Sequence, residues 1–334
     1  GGFQHYDGSP AANVARLLAD GALDPDFMAA PGADVFVSRA AVRADGKVVL
    51  AGVRYLNPDT FICWVGRLNA DGTPDATFTV AAFDTTDGNI IRDLAIAPGG
   101  DILLGGHFNR YGGTARSNVL RLNEDGSLDT PFDPGTGFNG DVWKLALRPD
   151  GRLLVAGFFT TVQSATHRGL VQLLPDGTVD GTFAIGEGFT LPSQPFTDAQ
   201  LFSLLLRPDG KVYVGGWYDA LDGLPQRGLV RLNTDGSKDG AFDVGAGCPR
   251  YIQTMAQLTG DRLLIAGTFE EYDRIGTGNI ARLLPDGGFD TTFNPCTGFS
   301  IFTTGQLNGY SHFGTGVSGF SPLPDGGVIA HGLF

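Results

Sequence analysis

Pairs of aspartates four residues apart recur along this chain: Asp20 and Asp24, Asp71 and Asp75, Asp125 and Asp129, Asp176 and Asp180, Asp235 and Asp239, Asp286 and Asp290. Such a spacing supplies hard oxygen ligands of the kind calcium takes. Four residues before the first member of each pair stands Arg16, Arg67, Arg121, Gln172, Arg231 or Arg282. An arginine competes with a metal for the same oxygens, and calcium needs more ligands than two carboxylates supply. Cross-strand Arg–Asp pairs are therefore the expected role, with Gln172 meeting Asp180 through a hydrogen bond. No cofactor and no metal site are expected, and calcium is the alternative.

A second set of polar residues lies one per repeat: Arg39, Asp93, Lys144, Ser203 and Thr254, with Gly319 in the last. Each sits six residues before a turn, within an apolar run. Arg39, Asp93 and Lys144 alternate in sign, so a self-neutralising cluster or a site for a small polar ligand is expected. His5, His107, His167, His312 and His331 share no ligand spacing. Cys63, Cys248 and Cys296 form no metal motif. Cys248 and Cys296 fall in corresponding loops, so a disulfide between them and a pair of free thiols both stay open. Nucleophile-elbow, phosphate-loop and dinucleotide fingerprints are missing from the sequence.

The elements that position these residues follow from the spacing. Every first aspartate is followed by Gly, and seven residues on by Phe27, Phe78, Phe132, Phe183, Phe242 or Phe293. A second series of turns, Asp45-Gly46, Gly99-Gly100, Asp150-Gly151, Asp209-Gly210, Gly260-Asp261 and Asp325-Gly326, joins two apolar runs each time. Apolar runs joined by Asp-Gly read as antiparallel hairpins. Each repeat thus holds four short strands, with the aromatic that closes the second (Phe108, Phe159, Tyr218, Phe269) and the recurring Phe in the core. A four-stranded unit repeated about six times predicts an all-β, six-bladed β-propeller of four-stranded antiparallel blades. The chain begins and ends at the same phase, at Phe3 and Phe334. Residues 1–30 and 317–334 are therefore expected to share one composite blade, with further blades at about 35–83, 90–138, 142–189, 201–247 and 252–299, in a single domain of 1–334.

The stretch L-R-P-D-G-R-L-L-V-A-G-F-F at Leu147–Phe159, with L-V-R-L-N-T-D-G-S-K-D-G-A-F at Leu229–Phe242, resembles the delta-60 repeat family of bacterial β-propeller proteins. The resemblance recurs in every repeat. It implies a propeller within an often large extracellular or surface protein of a bacterium, and implies no catalytic residue.

Composition narrows the function. The 334 residues carry a net charge of −13, which disfavours nucleic acid as a partner, because phosphate binding needs basic patches. No long apolar run is available for membrane insertion. The chain has no initiator Met, and it is expected to be part of a larger polypeptide or assembly. Repeat length varies only between the fourth strand and the next first strand, and the longest inserts are Gly186–Gln200 and Asn294–Gly316. Loops on a rigid scaffold concentrate recognition residues. Phe189, Phe196, Phe299, Phe302, Tyr310 and Phe313 are therefore the candidate binding face for a protein or glycan. A non-catalytic binding or scaffold propeller, extracellular or on the cell surface, is the leading expectation. The alternatives are a hydrolase or lactonase-like enzyme at the tunnel mouth, drawing on Asp93 and His107, and a repeat segment of a fibre or envelope protein.

Overall fold

The computed structural model describes residues 3–11, 13–29, 31–32, 34–57, 59–84, 89–194, 196–293, 316–322 and 327–333. It divides into two compact units. One comprises Gly1–Leu153 with Thr161–Ala165 and Leu173–Val179; the other comprises Leu154–Thr160, Thr166–Gln172 and Asp180–Phe334. Apart from a single 3-10 turn at Thr259–Asp261, every regular element among the described residues is a β-strand. None of them is a helix long and apolar enough to cross a membrane.

Each repeat opens on an antiparallel hairpin. Val35–Val42 pairs with Val48–Asn57, Ile90–Ile96 with Ile102–His107, Gln200–Leu206 with Val212–Trp217, Ile252–Gln257 with Leu263–Gly267, and Gly316–Pro322 with Val328–Leu333. A third strand joins the second at Thr60–Leu68, Val119–Leu122, Leu229–Leu232 and Ile280–Leu283. Strands of the same kind lie at Val142–Leu147, Leu153–Gly157 and Leu170–Leu173. First strands of successive repeats pack side by side within each unit. The core lies between successive sheets: Val49, Ala51 and Val65 of one meet Ile91, Leu104 and Leu120 of the next, and Tyr213 and Leu229 meet Ile252, Ile265 and Ala281.

The turn before each recurring Asp forms as its residues require. In Asn69-Ala70-Asp71-Gly72 the Gly72 N–H donates to Asn69 O at 2.9 Å and Asn69 N–H donates to Thr73 O at 2.8 Å. Gly72 has φ +85°, completing a type I turn with a glycine bulge. A side chain there is excluded twice, since a Cβ would also lie 2.9 Å from the backbone of Met28 in the preceding repeat. That close approach carries a stitch between repeats. Met28, Thr79, Asp133, Ala184 and Asp243 donate backbone N–H groups to the carbonyls of Asp71, Asp125, Asp176, Asp235 and Asp286, at 2.7–2.9 Å.

The expected fourth strand is shorter than a strand. Leu17–Leu23, Leu68–Pro74, Leu122–Leu128, Leu173–Val179, Leu232–Lys238 and Leu283–Phe289 are single bridges, so the sheets are three-stranded with one residue pair added. The cause is the recurring Asp. Asp75 donates its N–H to Arg67 O, then accepts the Thr77 N–H on Oδ1 and the Phe78 N–H on its carbonyl. The chain turns at once and leaves the ladder. Conversely, the polar link between second and third strands contains structure that the sequence analysis lacked. Small hairpins stand at His5–Pro10, Arg110–Ala115, Ala220–Pro225 and Glu271–Gly276. Their central pairs, such as Asp222-Gly223 and Asp273-Arg274, both have positive φ, as mirror-image two-residue turns demand. Tyr6, Tyr111 and Tyr272 of these hairpins donate their hydroxyls to Gly21, Gly126 and Gly287 carbonyls at 2.7–2.8 Å, tying hairpin to turn.

Among the described residues the last hairpin, Gly316–Leu333, is a two-stranded sheet. It packs its apolar face on Leu264, Ala266 and Ile280. Gly1, Gly2, Asp325, Gly326 and Phe334 lie outside the described residues.

Candidate binding face

A bulge shapes the first strand of every repeat with a described hairpin register. The register shifts between Val37 and Arg39, Ile91 and Asp93, Leu201 and Ser203, Ile252 and Thr254, and Val317 and Gly319. Ser38, Arg92, Phe202 and Gln253 are therefore extra residues, each directly preceding a position of the expected polar ring. The partner strand answers with glycine. A Cβ on Gly52, Gly106, Gly216 or Gly267 would lie 1.9–2.3 Å from the carbonyl oxygen of Phe36, Ile90, Gln200 or Tyr251. The recurring glycine before the aromatic that closes the second strand is thus a requirement of the bulge.

In the first unit, Arg39, Asp93 and Lys144 come together as their alternating signs predict. Asp93 Oδ1 lies 3.5 Å from Arg39 Nε and 3.6 Å from Lys144 Nζ, and Asp93 Oδ2 accepts the Leu145 N–H at 3.0 Å. Burial lowers the pKa of Lys144, Asp93 opposes that shift, and Arg39 adds to it. Ser203 is buried and Thr254 partly buried on the first strands of the second unit. The bulge residues add a neighbouring cluster. Arg92 donates from Nε and Nη2 to Asp141 Oδ2 at 3.0 and 2.8 Å, while His107 Nδ1 lies 2.7 Å from Asp141 Oδ1. The Arg92 guanidinium stands 4.0 Å from the centroid of Trp143, a cation–π contact. His107 and Asp93, named together for a hydrolase, thus serve different partners.

In the second unit the corresponding positions are aromatic. Phe158 packs edge-on against Phe202 at 5.1 Å, Phe202 against Tyr251 at 5.3 Å, and Tyr251 meets Trp217 at 4.9 Å with the rings tilted by 44°. Phe202 is buried; the other three keep part of their surface. Burial raises the pKa of Tyr251, with Arg250 opposing. Beside this row opens a concavity of about 120 Å³ lined by Leu191, Ser193, Trp217, Tyr218, Asp219, Arg227 and Pro249. Trp217 is one residue before the core aromatic Tyr218, and Phe202 is a bulge residue. Neither position was singled out by strand alternation, because alternation assumes an unbroken register.

The structure separates the expected binding-face aromatics. Phe189 is buried at 1% exposure, pairing with Tyr218 at 4.7 Å, so it belongs to the core beneath its loop. Phe196 is fully exposed. Phe299, Phe302, Tyr310 and Phe313 lie outside the described residues, as does Cys296, so its pairing with Cys248 does too. Among the described residues Cys63 and Cys248 are buried and bonded to no other cysteine, and burial pushes each thiol up to about 12.

The recurring aspartates do what their register predicts. Arg16, Arg67, Arg121, Arg231 and Arg282 place Nε 2.5–2.8 Å from Oδ2 of the facing Asp, and Gln172 Nε2 donates to Asp180 Oδ2 at 2.7 Å. Each of these arginines also stacks over the recurring Phe, with 4.7–4.9 Å from guanidinium carbon to ring centroid. Among the described residues, no group of three or more His, Cys, Asp or Glu side chains is arranged to hold a metal ion.

The chain belongs to a β-propeller family described as a domain of unknown function, DUF5122, whose profile matches residues 1–27, 43–78, 98–132, 148–183, 207–242 and 261–293. No curated protein sequence matches the chain. Among solved structures, the extracellular domain of a one-component system from B. thetaiotaomicron is similar at a TM-score of 0.50 and 16% identity, over 91% of this chain and 32% of that one. The WD40 β-propeller domain of Doa1 follows at 0.46 and 14%, over 88% and 85%. PorZ, a surface component of the type-IX secretion system of Porphyromonas gingivalis, gives 0.43 and 13%, over 84% and 45%. The chain thus spans about a third of the length of the first of these, and the likenesses show the fold alone.

Proposed function

We propose that this chain is a non-catalytic recognition propeller of a secreted or surface-displayed bacterial protein, of the delta-60 repeat type. In this reading the six matched repeats make six blades of one domain, residues 1–30 and 317–334 sharing a blade. The observation that carries the reading is the side chains set out by the strand bulges within each unit. A bulged position is released from the ladder and can face a ligand. In the first unit such a position holds Arg92, with His107 beside the same Asp141; in the second it holds the buried Phe202, which braces the partly exposed Tyr251 next to Trp217, and these are residue types common in recognition surfaces. The insert Gly186–Gln200 ends where the first strand Gln200–Leu206 begins, two residues before the bulge at Phe202. The extracellular setting of the similar B. thetaiotaomicron domain accords with this role. A partner protein or a glycan is the ligand class.

Shortening Gly186–Gln200 and Asn294–Gly316 to the connection length of the other repeats tests the reading. Wild-type and shortened chains are compared for binding to a glycan array and to the extracellular proteins of the source bacterium. Loss of a wild-type ligand with an unchanged melting temperature is expected. A ligand retained in full by the shortened chain contradicts the reading.

A further inference from the structure

We propose that the concavity beside Trp217 is a carbohydrate subsite, in which a pyranose ring stacks on the exposed face of Trp217, with Tyr251 as its neighbour, and donates hydroxyl hydrogen bonds to Asp219. The assignment rests on the recognition reading and narrows its ligand to a glycan.

Shape comes first. Trp217 and Tyr251 meet at 4.9 Å with their rings tilted by 44°, so together they form an angled apolar corner that a ring can rest against. Phe202 braces Tyr251 from its edge and is itself braced by Phe158, so the corner is held rigid. A sugar ring has one face of C–H groups that packs well on such a surface, while its rim is hydroxyl. The concavity of about 120 Å³ is smaller than the roughly 300–1,000 Å³ of pockets for drug-sized ligands. It takes the edge of one ring and leaves the rest of a chain on the open platform.

Hydrogen bonding selects the ligand class. Asp219 lines the concavity, and its Oδ2 accepts the Ser193 N–H at 3.2 Å. Its Oδ1 is buried with no hydrogen-bond partner among the described residues. Two further side-chain atoms around the same rings are in that condition. One is Oε1 of Gln200, the residue opposite Trp217 in the ladder; the other is Oγ1 of Thr268, whose backbone N–H donates to Tyr251 O at 3.0 Å. A buried acceptor without a donor is costly, and a rotation of the Asp219 carboxylate toward the concavity lets a sugar hydroxyl relieve that cost. A quaternary ammonium would also favour aromatic faces and a carboxylate. It brings no hydrogen-bond donor, however, and Arg227 on the same wall repels it. An anion would meet Arg227 but also the carboxylate of Asp219 and the acceptors beside it, which repel it. A polyol with an apolar face satisfies both halves of the site.

The test uses the whole chain. Glucose, galactose, mannose, N-acetylglucosamine and their β-linked oligomers are titrated to millimolar concentration, with saturation-transfer NMR and tryptophan fluorescence as readouts. Choline is titrated in parallel. At least one saccharide is expected to bind, and Trp217→Ala and Asp219→Asn should each weaken it by about tenfold or more, the equivalent of losing one good charge-assisted hydrogen bond or stacking contact. Trp217→Phe should retain most of the binding, and Tyr55→Ala, at an exposed aromatic of the first unit, should change nothing. Melting curves confirm that each variant is folded. Saccharide binding untouched by both Trp217→Ala and Asp219→Asn overturns the assignment, as does binding of choline in place of any sugar. If no saccharide binds while a protein ligand is lost on loop shortening, the carbohydrate assignment fails and the recognition reading stands. If neither ligand class responds, both fail.

Discussion

Replacing Asp239 by Ala should destabilise the fold by about 2–3 kcal/mol, roughly twice the cost of Asp129→Ala at the equivalent position. Asp239 Oδ2 accepts from Arg231 Nε at 2.6 Å and from Lys211 Nζ at 2.8 Å, and its Oδ1 accepts the Ala241 N–H at 3.0 Å. Arg231 and Asp239 keep only 8% and 6% of their side-chain surface. Removing the carboxylate leaves a guanidinium that water reaches poorly. Breaking a buried pair costs about 3–5 kcal/mol when the remaining charge is wholly uncompensated. Here Arg231 retains the Pro285 carbonyl at 2.9 Å and the Phe242 ring, and the more exposed Lys211 can turn to solvent, so the lower figure applies. Arg121, by contrast, keeps 20% of its side-chain surface, and the carboxylate of Asp129 is bound by this one side chain, at 2.5 Å. Cross-strand pairs on a sheet contribute about 0.2–1 kcal/mol, and this part-buried pair lies at the upper end, which puts Asp129→Ala near 1 kcal/mol. Urea unfolding of both variants, with Arg231→Ala and Arg121→Ala completing double-mutant cycles, measures the difference. Equal costs at the two sites would refute the reasoning that burial, rather than the shared pairing geometry, sets the energy.

Three further outcomes are expected. Thr292, with help from Arg282 and against some burial, holds Asp290 down at about 2; Asp239, where burial opposes and Lys211, Ala241 N–H and Arg231 outweigh it, also lies at about 2. A carboxyl depressed in the folded state contributes stability above the unfolded value of about 3.9 and loses it as pH falls through the folded value. Melting temperatures should therefore drop between about pH 4 and 2, and Asp290→Asn with Asp239→Asn should flatten that slope; an unchanged slope would count against the assignment. Gly267→Ala puts a Cβ 1.9 Å from Tyr251 O, so it should cost roughly 2 kcal/mol or more and lower the urea midpoint, whereas Gly276→Ala, with open space around it, should cost less. Cys63 and Cys248, both pushed up by burial, should resist maleimide labelling in the native chain and react on unfolding, as peptide mass spectrometry would show.

The repeat was legible because its information is local. Asp followed by Gly fixes a turn, the turn fixes the register, and the register sets Arg121 opposite Asp129 before any tertiary contact is known. The stacking of each arginine over its Phe follows from the same register but was not drawn from it. What escaped detection depends on departures from alternation. The bulges turn out Arg92 and Phe202, and strand periodicity has no signal for an extra residue. The glycines opposite, Gly106 and Gly216, carried that signal, but glycine before an aromatic also reads as simple close packing. The small hairpins have strands of two residues, too short for periodicity. Asp222-Gly223 announced one of them, whereas Asp273-Arg274 needs positive φ at two residues that carry side chains. The fourth strand failed for a related reason: Asp75 and its equivalents bond their own following backbone and so end the strand they were expected to begin. Phe189 illustrates the limit for the site, since an aromatic in an insert can pack beneath its loop as easily as face outward.

Hydrogen–deuterium exchange of the free and ligand-bound chain tests the central claim most directly, because it reports which end of the strands a ligand covers. With any saccharide or protein ligand found for the wild-type chain, protection should appear at residues 186–194, at Trp217–Asp219 and at Pro249–Tyr251. The Asp-Gly turns at Asp176, Asp235 and Asp286, at the opposite ends of those strands, should exchange as in the free chain. Protection confined to these turns, with residues 217–219 unchanged, would contradict recognition through the bulged ends of the strands.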